Sequence, residues 1–114
     1  MAKISIACAT PTDSLLAAKI LHDEIGFSFS SAKARIGKGK LGVFFTTELF
    51  LNDHVEKEKL IRVLLHRFKS IGVELFISEI GYEDDWAEVE DPDSIRISDE
   101  EMIAELDSAK GSFH

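Results

Sequence analysis

The stretch Asp13-Ser14-Leu15-Leu16-Ala17-Ala18-Lys19-Ile20-Leu21-His22-Asp23-Glu24-Ile25-Gly26-Phe27-Ser28-Phe29-Ser30-Ser31-Ala32-Lys33-Ala34-Arg35-Ile36 decides the fold. Leu15, Leu16, Ile20, Leu21 and Ile25 recur at helical spacing, so an amphipathic helix is expected over 13–25. Thr12 stands where a side chain can cap it, and Asp13 puts negative charge in the first turn, where the helix dipole favours it. Gly26 reads as a left-handed C-cap. Ser28 or Ser30 then caps a second, shorter helix that runs to about Ile36 and ends at Gly37 and Gly39.

Working outward, Lys3-Ile4-Ser5-Ile6-Ala7-Cys8 alternates with period two, as a half-buried strand does. Leu41 to Thr47 is rich in β-branched and aromatic residues and reads as a second strand. Glu48 to Asn52 either prolongs it or turns away. Asn52 or Asp53 is expected to cap the longest helix, His54 to Ser70, whose stripe is Ile61, Leu64, Leu65 and Phe68, with Glu58 and Arg62 paired on the wet side. Ile71-Gly72 stops that helix and Val73 to Ile77 alternates as a third strand. The order β-α-α-β-α-β over residues 1–78 predicts a two-layer α+β domain: a small three-stranded sheet with helices on one face. Residues 79–114 form an acidic extension packed on that core or reaching away from it. Asp93 to Ile97 fits a short edge strand, and Ser98-Asp99-Glu100-Glu101 is a capping box for a last helix over 98–109, stopped by Gly111.

Charge is unevenly placed. Residues 1–78 hold eleven Lys and Arg against eight Asp and Glu, a net of +3, while residues 79–107 hold thirteen acids against Arg96 alone, a net of −12. The single cysteine, Cys8, excludes an internal disulfide and reads as a small buried residue. No cationic-then-apolar leader opens the sequence and no apolar run approaches membrane-spanning length, so a soluble cytoplasmic protein is expected.

Catalytic and metal signals are weak. His22, His54, His66 and His114 show no paired ligand spacing, so neither metal nor cofactor is expected. The serines sit where helices need caps, and no Gly-x-Ser-x-Gly turn occurs. Gly37-Lys38-Gly39-Lys40 lacks phosphate-loop spacing and precedes a strand instead of a helix. Lys33, Arg35, Lys38 and Lys40 make a basic patch without interleaved aromatics, so direct nucleic-acid binding is not expected either. What stands out is Asp84, Asp85, Trp86, Glu88, Glu90 and Asp91: carboxylates that can steer a basic protein around an aromatic anchor. That composition points to a non-enzymatic protein-binding module, an immunity- or antitoxin-like protein that neutralises a basic partner. A strand edge at 73–77 or 93–97 would serve a homodimer; otherwise the chain is a monomer.

Gly26-Phe27-Ser28-Phe29-Ser30-Ser31-Ala32-Lys33 resembles the Gly-Leu-Gly-Leu-x-x-Ala-Lys segment in the C-terminal domain of the bacterial ribosomal stalk protein (the L7/L12 type). Lys69-Ser70-Ile71-Gly72-Val73-Glu74-Leu75, a helix ending in glycine before an alternating strand, resembles it too. The element order is also that of the Clp-protease adaptor domains. The second family glycine is Ser28 here, and His22-Asp23-Glu24 stands where the family usually has an arginine. The resemblance implies the fold of residues 1–78 and an alternative docking surface at Lys19, Gly26 and Lys33, used as an adaptor or translation-factor-docking face.

Overall fold

The structure, a computed structural model, describes residues 2–48, 54–81 and 83–112. β1 (Ala2–Cys8) leads into α1 (Leu15–Ile25) and α2 (Phe29–Ile36), then β2 (Phe45–Glu48), α3 (His54–Ser70) and β3 (Leu75–Gly81). β4 (Arg96–Ile97) and α4 (Asp99–Ser112) complete it. The sheet runs β2-β1-β3-β4 with every neighbouring pair antiparallel.

The sheet therefore has four strands, not the three expected from residues 1–78; the short edge strand expected at Asp93 to Ile97 joins it through Arg96 and Ile97. Arg96 explains the fourth: its guanidinium lies 4.9 Å from the Phe76 ring centre and donates to Glu74 Oε1 at 2.8 Å and to the Leu75 carbonyl at 3.2 Å. Those contacts hold Ile97 and Arg96 opposite Ile77 and Ser78. β3 pairs with β1 along its length and with β4 at Ile77 and Ser78, so β2 and β4 are the edge strands of the sheet.

Alternation sorts the sheet into two faces. Ile4, Ile6, Cys8, Leu75 and Ile77 are buried with Leu21, Ile36, Ile61, Leu64, Phe68, Met102 and Leu106, so all four helices contribute to one core. Residues 79–112 thus finish β3 and supply part of that core. Phe44 and Phe68 stack at its centre with ring centroids 5.5 Å apart. The opposite face, with Ser5, Ala7, Phe76 and Ser78, is not left to solvent in a two-layer arrangement: half-buried Trp86, Val89 and Ile95 from the acidic segment lie over it. Residues 83–95 are a strap across the back of the sheet.

The caps adjust several boundaries. Ser14, not Thr12, caps α1: its Oγ accepts from the Ala17 N–H at 3.2 Å, while Thr12 Oγ1 accepts from the Ser14 N–H. Ser28 caps α2 and accepts from Ser31 N–H at 3.2 Å. Leu41 and Gly42 leave the expected strand for a 3-10 turn at Gly39–Leu41 and its exit. A Cβ on Gly42 would overlap the Arg35 carbonyl, so the chain crosses the end of α2 only with glycine there. The capping box of α4 is present, with Glu101 N–H donating to Ser98 Oγ at 3.1 Å and Ser98 N–H to Glu101 Oε1 at 3.0 Å. α4 continues through Gly111 to Ser112 instead of stopping before it. The expected cap at Asn52 or Asp53 lies outside the described residues. No helix among those described is long and apolar enough to cross a membrane.

Candidate partner-binding surfaces

The α1–α2 hairpin is built by its caps. Once Ser14 starts the helix at Leu15, 100° per residue turns Ala17, Ala18, Ile20 and Leu21 inward. Leu15, Lys19 and His22 then fall in one outward row with Leu16 beside it. Leu15 and Leu16, expected in the core stripe, are 64% and 59% exposed. Gly26 takes φ 93°, and its N–H donates to the carbonyls of Leu21 and His22, which reverses the chain. α2 returns with Phe29 against His22, ring centroids 4.5 Å apart and planes 23° from parallel. His22 Nδ1 donates to the Phe27 carbonyl at 2.8 Å, which ties the ring across the turn. Lys33 follows Phe29 by one helical turn. Leu15, Leu16, Lys19 and His22 of α1 and Phe29 and Lys33 of α2 are all exposed, and the His22–Phe29 stack joins the two helices on either side of the Gly26 turn.

The charges on this face are set by α3. Arg67 donates to Glu24 at 2.9 Å and lies 3.6 Å from Asp23, so the two acids of α1 are paired toward α3. Among the described residues Lys19 and Lys33 have no acidic partner, and the same two helices expose Leu15, Leu16 and Phe29, the last 45% exposed.

The strap presents a different surface. Asp84, Asp85 and Asp91 each hold a turn: Asp84 Oδ2 accepts from Gly81 N–H at 3.0 Å, Asp85 Oδ1 from Ala87 N–H at 3.0 Å, and Asp91 Oδ1 from Asp93 N–H at 3.1 Å. Lys3 Nζ donates to the Asp84 carbonyl at 2.7 Å and ties the strap to β1. With Glu88 and Glu90 these acids are exposed along one outer ridge. Trp86 is turned toward the sheet and half-buried, so the ridge has acids but its expected anchor points the other way.

A further acidic group went unnoticed in the sequence. Glu79 lies opposite Ile4 on the helix-facing side of β3, and its Oε2 is buried without a hydrogen-bond partner. Burial first, then Glu105 and Glu101 of α4, push its carboxyl up to about 7. Continuing the alternation Leu75, Ile77 by one step would have placed it inward.

A groove of about 630 Å³ runs between β4 and the start of α4 and is lined by Lys69, Glu74, Asp93, Arg96, Asp99 and Glu101 among others. Asp99 is raised there by burial and by Glu100. The groove brings acids and cations together but no nucleophile–base pair. Among the described residues no three His, Cys, Asp or Glu side chains converge as a metal site. Comparison with protein-family models, with curated proteins and with solved structures returned no match in any of the three.

Proposed function

We propose that this chain is a non-enzymatic protein-docking module whose contact surface is the outer face of the α1–α2 hairpin. The observation that carries the reading is the exposure of Leu15 and Leu16 on α1 and of Phe29 on α2, with Lys19 and Lys33 exposed on the same two helices. Apolar side chains clustered on a surface and rimmed by charge are the composition of an interface, because only a partner can remove them from water. The partner that fits is an amphipathic helix carrying carboxylates beside its apolar stripe: the stripe covers the leucines and Phe29, and the acids meet the two lysines.

The experiment compares proteins captured from host lysate by the wild-type chain, by Leu16→Glu with Phe29→Glu, and by Asp85→Lys with Glu88→Lys. Loss of a specific captured protein in the first variant alone supports the hairpin face. Retention of every captured protein by that variant refutes it.

A second reading rests on the strap. Five exposed carboxylates within residues 84–91 form a ridge suited to steering a basic protein, as in an immunity- or antitoxin-like partner. Here the charge-reversal variant loses the captured protein, and high salt releases it from the wild type.

A further inference from the structure

Beneath the strap, on the sheet face opposite the helices, lies a cavity of about 170 Å³. Its floor carries Ser5 and Ser78, which face each other directly in the β1–β3 register. Both residues are more than nine-tenths buried, and both line the cavity. Two adjacent hydroxyls on a strand face next to Ala7 and Phe76 place a pair of hydrogen-bonding groups in an otherwise apolar part of the cavity, the arrangement that fixes the polar end of a small ligand.

The rest of the lining says what that is. Phe76 and Trp86 supply apolar walls, and Lys40 supplies a cation, with its Nζ 5.9 Å from the Phe76 ring centre and 3.8 Å from Asp93. The strap carries seven acids between Glu83 and Asp93, yet none of them lines the cavity. Among the described residues, every charged or hydroxyl group that does so can donate a hydrogen bond, and the one formal charge is positive. The volume is well below the roughly 300 Å³ at which drug-sized sites begin, and equals roughly five or six waters at about 30 Å³ each.

We propose that this cavity binds a small apolar carboxylate, a short-chain or single-ring acid. Its carboxylate accepts from the serine hydroxyls and the Lys40 ammonium, and its apolar body lies between Phe76 and Trp86. The site is separate from the docking face, because it uses the other side of the sheet.

Trp86 is the only tryptophan in the chain, so its emission reports on the cavity directly. The wild-type protein is titrated with hexanoate, following Trp86 fluorescence, and with benzoate by calorimetry; hexanol and benzamide serve as uncharged controls. Saturable binding of at least one acid, with the matching control at least tenfold weaker, is the expected result. Lys40→Gln, at a half-exposed position, should weaken that acid by about tenfold or more, and Ser78→Ala by roughly three- to tenfold. Absence of saturation by either acid, equal binding of the uncharged controls, or unchanged affinity in Lys40→Gln would each overturn the proposal and leave a cavity that holds only water.

Discussion

Replacing Glu79 by Gln should stabilise this protein, and only above mildly acidic pH. The carboxyl sits between β3 and α4 with Oε2 buried and unpartnered, facing Glu105 and Glu101. In the unfolded chain it has its ordinary value of 4.5; in the folded chain burial and the two neighbouring carboxylates raise it to about 7. Between those values the folded state binds more protons than the unfolded state, so stability falls as pH rises. The contribution is fully present below 4.5 and is lost as pH passes through 7. At about 1.36 kcal/mol per pH unit the ceiling is about 3 kcal/mol. The side chain is partly solvated, and screening reduces the expected cost of ionisation to about 1–2 kcal/mol. A neutral amide of the same shape escapes that cost and can donate to Glu105. Thermal unfolding followed by circular dichroism at pH 5, 6, 7 and 8 should therefore show Glu79→Gln melting about 4–8 °C above wild type at pH 8, with the gain shrinking to nothing near pH 5. A gain independent of pH, or no gain at pH 8, would refute the reasoning.

Two other outcomes follow from local geometry. Cys8 is fully buried and its thiol is pushed up to about 11 by burial, so maleimide at pH 7 should label it only as fast as the domain opens, and urea should accelerate labelling in step with unfolding. Gly42→Ala forces a methyl group into the Arg35 carbonyl, and urea unfolding should show a loss of about 1–3 kcal/mol or failure to fold, whereas Gly26→Ala, with open space around it, should cost only the left-handed conformation, about 1 kcal/mol.

Most of the fold was legible because the signals were local. The Gly26 C-cap, the Ser98 capping box and the α3 stripe each depend on residues within a few positions, and each is formed as read. What sequence misread depends on contacts between distant segments. Leu15 and Leu16 match helical spacing, but moving the cap from Thr12 to Ser14 and packing the small Ala17 and Ala18 against the sheet rotate them outward. The short edge strand read at Asp93 to Ile97 is present but pairs only through Arg96 and Ile97, and its joining the sheet rests on Arg96 reaching Phe76, Glu74 and Leu75, a contact no periodicity encodes. Trp86 looked like a surface anchor among acids because nothing nearby in sequence shows that the back of the sheet is apolar enough to hold it.

The strand order has a consequence for how the chain is made. Of the four strands β1 is synthesised first, yet it occupies the interior of the sheet, between β2 and β3. Cys8 waits for Leu75, its register partner, until 67 more residues have been added, about 3–13 s at 5–20 residues per second. Through that interval Ile4 and Ile6 have no β3 to pair with, while the α1–α2 hairpin, closed by Gly26 and by the His22–Phe29 stack, can already form. Slowed translation between α3 and β3 should therefore raise aggregation more than an equal pause after Gly81, when the central pairing is complete.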